Sequence, residues 1–256
     1  MNPNEYNNNY DYSNPNSYMD LNSGYESGNP VVQNLNDFKS LMYEEVISKS
    51  FLFMIVGLLI TAFAAFTTTP EVGIRLLTGS GYWILLVSEL AIVLVSNWAL
   101  SKNNAILAGI LFVIYSYLTG MIFAPLFIVY TSTSLVSVFL ITAATFAVMA
   151  VYGLVTKKDL SSVGSICLMG LIGLILVSVV NLVFLRSSTF DLIVSGVGVL
   201  IFVGLTAYDA QKIKKMVEFS DDSNVLSLAL FGAFELYLDF INLFLRLLRI
   251  LGKSRD

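Results

Sequence analysis

The chain has 256 residues, 56% of them hydrophobic and only 12% charged, with a net charge of -4 and a mean hydropathy of +0.77. A soluble domain is about a quarter charged and a disordered chain more so, which excludes both classes and leaves a polytopic membrane protein. Histidine is absent and Cys167 is the single cysteine, so imidazole sites, intrachain disulfides and thiolate clusters are excluded, and the acidic balance argues against nucleic acid as a partner.

Residues 1–36 are rich in Asn, Tyr, Ser and Gly, as in Asn7-Asn8-Asn9-Tyr10, without apolar periodicity. Such a segment cannot bury enough surface to offset its ordering entropy, and a disordered tail is expected. It has neither the basic start nor the apolar core of a signal peptide. The remainder, 37–256, is expected to form one transmembrane domain. An amphipathic stretch over 36–50, with Phe38, Leu41, Met42 and Val46, leads helically into the first span.

Apolar runs then cover 51–66, 82–100, 105–130, 135–154, 163–185, 192–208 and 225–251. About 20 apolar residues at 1.5 Å each cross a hydrocarbon core of about 30 Å. Only helices satisfy their own backbone groups there when alternating barrel strands are absent. The expected fold is an all-α integral membrane protein, a seven-transmembrane-helix bundle. Pro125 should kink the third span, and Cys167, Gly170 and Gly173 put small residues on one face of the fifth.

Lys39, Lys49, Lys102, Lys157, Lys158, Lys212, Lys214 and Lys215 fall on the tail's side of the bilayer, against Arg75 and Arg186 on the other. The positive-inside rule therefore puts the N-terminus in the cytoplasm. Arg246, Arg249, Lys253 and Arg255 make the C-terminus basic as well, although seven spans place it outside. Either the last span departs from the rule or one segment is re-entrant.

Four carboxylates interrupt the apolar runs: Glu89, Asp209, Glu235 and Asp239. An acid in hydrocarbon costs a few kcal/mol, so such residues mark ion pathways or proton sites. In the last run Glu235, Asp239, Asn242, Arg246 and Arg249 recur at helical spacing and share one face. A polar stripe must face protein or water, which places this helix inside the bundle with the others around it. For Asp209 and Asp239 to lie at one depth, the sixth helix must outrun the membrane or 222–232 must lie largely outside it. Both are expected in part, with Gly232 close to where the last helix enters the bilayer.

Three segments carry a resemblance: Tyr208-Asp209-Ala210-Gln211-Lys212-Ile213-Lys214, Leu236-Tyr237-Leu238-Asp239-Phe240-Ile241-Asn242-Leu243-Phe244, and Tyr152-Gly153-Leu154-Val155-Thr156-Lys157-Lys158-Asp159-Leu160-Ser161-Ser162. They are similar to signatures of the Bax inhibitor (transmembrane Bax-inhibitor-motif) family, in its bacterial branch. The resemblance implies a seven-helix bundle with a central last helix, in a bacterial plasma membrane, acting as a pH-sensitive calcium leak channel. It further implies that Asp209 and Asp239 share a proton as sensor and gate, and that Glu89 lines the pore or attracts cations. Calcium is then the permeant ion, transiently held by Asp209 and Asp239, and the polar stripe of the last run adds Glu235, Asn242 and Arg246 to the expected pathway. No resident cofactor is expected.

Two carboxyls that meet in a water-poor core cannot both ionise, so they titrate as a unit around one proton. A shared proton ties two helices together, and its loss leaves repelling oxygens that suit a hard divalent cation. Acid should close the route and alkali open it. Two features depart from the family pattern. Leu100-Ser101-Lys102-Asn103-Asn104 offers one basic residue where relatives carry several. Glu235 adds an acid that either tightens the pair's hold on its proton or supplies a cation ligand.

An alternative function is a membrane stress-response regulator or scaffold that binds other membrane proteins or a membrane protease. Enzymatic activity is not expected. Intramembrane aspartyl proteases need Gly-x-Gly-Asp, which Tyr237-Leu238-Asp239 lacks, and no proline follows Pro125.

Overall fold

Apolar runs that cannot hand their backbone groups to water coil upon themselves. A computed structural model describes residues 30–77, 80–219 and 224–255, and the long runs are helical throughout. The helices are α1 (Pro30–Thr67), α2 (Pro70–Leu77), α3 (Ser80–Ser101), α4 (Ala105–Phe123), the single turn α5 (Leu126–Val129), α6 (Ser132–Val155), α7 (Ser161–Val180), α8 (Ser188–Phe219) and α9 (Val225–Leu251). The chain divides into the units Met1–Leu41 and Met42–Asp256. Of the first, the described residues are the opening turns of α1. All the membrane acids belong to the second.

Among the described residues six helical segments are long and apolar enough to cross a membrane: Lys39–Thr67, Ala105–Val129, Ser132–Val155, Ser161–Leu185, Ser188–Glu218 and Val225–Leu251. The run expected as the second span forms α3, whose apolar stretch Val87–Ser101 is shorter than the other six. Helix α1 begins at Pro30, ahead of the expected end of the tail. The connection that carries Arg75 contains α2, which the hydropathy pattern does not announce.

Polar breaks act as helix starts. Asn104, Thr131 and Asn224 accept backbone N–H bonds from Leu107, Ser134 and Ser227, satisfying donors that the first turn leaves free. Pro125 does more than kink the third span. Its ring and missing N–H stop α4 at Phe123, and the chain restarts as α5.

Helix α8 packs against α6, α7 and α9, and α9 packs against α3, α4, α6 and α8. Helix α9 is the most buried of the six, with 67% of its apolar window covered against 18–39% for the others. Lipid tails compete equally for apolar surface, so close approach through small residues matters more than hydrophobicity here. The backbone of Gly153 lies against that of Ala207, Gly164 against the Tyr208 ring, and Gly204 against Cys167 Sγ. The expected small face of the fifth span is therefore only partly used. Cys167 and Gly170 meet α8, whereas a Cβ on Gly173 would touch nothing within 4 Å.

The C-terminal segment is tied down. Thr131 N–H donates to Lys253 O, Arg255 N–H to Val129 O, and the Arg255 guanidinium to Phe127 O at 2.9 Å. The basic C-terminus thus sits where α4, α5 and α6 connect, at the opposite end of α6 from Lys157 and Lys158. The last helix is long and apolar enough to cross a membrane, and Arg255 is engaged by loop carbonyls.

Candidate functional site: an acid seam between α8 and α9

Helices α8 and α9 run antiparallel, and their polar residues fall in register. From one end to the other, Asp191 faces Arg249 at 2.6 Å, Gly198 lies under the stem of Arg246, Asp209 meets Asp239, and Lys212 meets Glu235 at 3.1 Å. Beyond them Gly232 lets Ile213 and Ser50 come close. Helix α8 continues ten residues past Asp209, to Phe219, and α9 starts at Val225. The two acids meet at one depth because both helices extend toward the lysine-rich end, as the spacing required. Asp222 lies outside the described residues.

The carboxyls of Asp209 and Asp239 are within hydrogen-bonding reach of each other. They are 6% and 4% exposed. Asp239 Oδ2 accepts no hydrogen bond from any described residue. A buried acceptor without a donor costs roughly 1–3 kcal/mol, and more when charged. One proton placed between the two carboxyls supplies the missing donor and removes one of two desolvated charges. Helices α4, α6 and α7 carry no acidic or basic residue in their sequences. The charged groups facing the pair are Glu235 and Lys212, which stands 4.0 Å from Asp209.

Glu235 is therefore more than a third acid: it is the ion-pair partner of Lys212, whose ammonium also covers the Phe231 ring at 4.8 Å. Among the described residues no group of three or more Cys, Asp or Glu side chains is arranged to hold a metal ion. At Asp209 and Asp239 two carboxylates are available.

Of the other expected pathway residues, Asn242 and Arg246 line the C-terminal end of the seam, whereas Glu89 lies apart. Glu89, half-buried on α3, receives a long 3.5 Å hydrogen bond from Thr119 Oγ1 and neighbours Tyr115 and Tyr237. It belongs to a separate hydroxyl cluster, in which Tyr237 Oη lies 2.6 Å from Thr61 Oγ1, itself a donor to Ser116 O at 2.9 Å. Sequence reasoning missed this cluster. The signal was Tyr237, a residue with a polar tip inside an apolar span. Asn242 donates to Leu238 O of its own helix at 2.8 Å. Asp191, the partner of Arg249, was also unforeseen.

Two of the sequence signatures are one structure. Gln211 Oε1 accepts from Leu160 N–H and its Nε2 donates to Lys158 O, each at 2.8 Å. Lys215 pairs with Asp159 at 2.5 Å, and Lys214 reaches Leu154 O. The connection 156–160 is thereby fastened to α8 within two turns of Asp209.

Residues 43–256 match the family described as "Inhibitor of apoptosis-promoting Bax1". The chain is 44% identical to the inner membrane protein YbhL of Escherichia coli over 208 residues, 79% of this chain and 88% of that protein. It is 41% identical to an uncharacterized protein of Borreliella burgdorferi over 84% of this chain and 95% of that one. A further uncharacterized protein, from Rickettsia prowazekii, is 43% identical over 81% and 89% respectively.

Proposed function

The chain belongs to the Bax1-inhibitor family of integral membrane proteins, and on that premise we propose that it is a pH-sensitive calcium leak channel gated by Asp209 and Asp239. The observation that carries this reading is the buried carboxyl pair on facing helices, one oxygen of which has no donor. We take the whole to be a seven-helix bundle in a bacterial plasma membrane, with α3 as the remaining span, α9 at the centre and the N-terminus in the cytoplasm.

At acid pH one proton bridges the two carboxyls and ties α8 to α9, closing the seam. When it leaves, two anions face each other where water does not screen them, and repulsion is at its strongest. The helices part, water enters, and the freed oxygens offer a hard divalent cation the ligands it favours. Lys212 is held by Glu235, so it does not fully neutralise the opened pair. Asn242 continues the route toward the C-terminal end, and Glu89 attracts cations from beside it. A stress-response scaffold that binds membrane proteins or a protease would have no use for two acids at this depth.

The test is calcium entry into liposomes containing the purified protein and an enclosed indicator. Flux should rise between about pH 6 and pH 8, and Asp209→Asn and Asp239→Asn should each flatten that rise. Unchanged flux and unchanged pH dependence in both variants would remove the gate from consideration.

A further inference from the structure

At the C-terminal end of the α8/α9 seam lies a polar cleft of about 350 Å³ lined by Asp191, Ser195, Asn242, Leu245, Arg246 and Arg249. Its charges do not balance. Asp191 is engaged by Arg249 at 2.6 Å, and among the described residues no carboxylate lies within ion-pair distance of Arg246. The stem of Arg246 rests on the bare backbone of Gly198, where an added Cβ would stand 3.0–3.1 Å from its Cγ, Cδ and Nε. That contact holds the guanidinium in the cleft. Ser195 is 1% exposed, and its Oγ has no hydrogen-bond partner among the described residues. A serine inside a helix usually bonds the carbonyl one turn back; this one keeps its donor for the cleft.

We infer that this cleft binds a phosphate oxyanion, held by Arg246 and Arg249 with Ser195 Oγ as a third donor. A half-buried guanidinium whose nearest carboxylate, Asp191, is already taken by Arg249 and acts on it only from beyond ion-pair distance is costly, and planar guanidinium forks match the spacing of phosphate oxygens. The depth agrees. Arg246 lies five residues, about 7–8 Å, before the end of α9 at Leu251, the level of the headgroups rather than of the hydrocarbon centre. The volume exceeds that of one phosphate group and leaves room for what is esterified to it. The same chemistry comes from two sources, a lipid phosphodiester or free inorganic phosphate. The inference does not rest on the channel reading.

The experiment uses the full chain in uncharged detergent, with the thermal unfolding midpoint followed as inorganic phosphate or phosphatidylglycerol is added at constant ionic strength. A ligand that binds the folded state raises the midpoint by mass action. At least one probe should give a saturable rise in the wild type. A response to both identifies free phosphate as sufficient, and a response to the lipid alone identifies the headgroup as the source. Arg246→Gln should weaken the response at least tenfold, and Ser195→Ala roughly fivefold, about one hydrogen bond. If Arg246→Gln does not fold, Gly198→Ala, which displaces the Arg246 stem, serves in its place and should weaken binding at least fivefold. No rise with either probe in the wild type, or an undiminished rise in these variants, overturns the site.

Discussion

Lys212 reaches from α8 to Glu235 on α9 at 3.1 Å while standing 4.0 Å from Asp209, so one cation serves two of the four acids in the seam. The first prediction follows from that sharing. In Lys212→Met the carboxylates face one another uncompensated, and the pair should release its proton only at higher pH. The calcium-flux profile should move about 1 pH unit to the alkaline side. Glu235→Gln removes a negative neighbour and frees Lys212 for Asp209, moving the profile to the acid side by a similar amount. Liposome flux measured at closely spaced pH values reads both, and shifts of the same sign would contradict the account.

Tyr237 is fully buried and stacks edge-on against Phe112 at 5.4 Å and Tyr115 at 6.0 Å. Tyr237→Phe keeps the ring and loses the bond to Thr61, which retains Ser116 O and Gly57 O as acceptors. It should cost about 1 kcal/mol. Tyr237→Ala opens a cavity beside two aromatic rings and should cost roughly 3–5 kcal/mol. Reversible unfolding in mixed micelles would measure the difference, and near-equal losses would mean the ring contributes little.

Glycines on neighbouring spans should differ sharply in their tolerance of a methyl group. Gly153→Ala drives its Cβ into the Ala207 backbone, where no side chain can swing aside, so α6 and α8 must part at a cost of roughly 1–3 kcal/mol. Gly173→Ala meets open space and should stay within about 0.5 kcal/mol of the parent. Detergent melting of the two variants side by side is sufficient, and equal destabilisation would refute the packing argument.

Asp159 lies between spans, where Lys215 and then the Ser161 hydroxyl and N–H donate to it and hold its carboxyl well below the usual range. A carboxyl that titrates lower when folded stabilises above its unfolded value, about pH 4, and loses that contribution as pH falls through the folded value. Between about pH 5 and pH 8 the tether should therefore be constant. Hydrogen-exchange protection of 156–161, corrected for intrinsic rates, should be flat there and reduced throughout in Asp159→Asn. A pH-dependent protection in that window would mean the connection responds to the seam instead.

The membrane class, the helical runs and their approximate limits were legible in the chain because hydrocarbon imposes one demand, an apolar helix of sufficient length, and composition answers it locally. The stripe Glu235–Asp239–Asn242–Arg246–Arg249 was legible for the same kind of reason, since helical periodicity shows which residues share a face. What lies across from that face is a matter of helix register, and nothing local sets it. The pairing of Asp191 with Arg249, the capture of Glu235 by Lys212 and the fastening of 156–160 by Gln211 join residues 23 to 58 positions apart, and the separation of Glu89 from the acid pair is equally non-local. The break at Pro125 and the docking of the C-terminus on Val129 likewise needed tertiary structure. Close approach at Gly153, Gly204 and Gly232 decides how far one helix slides along another before its polar groups meet, and that balance of contacts exists only when the helices stand side by side.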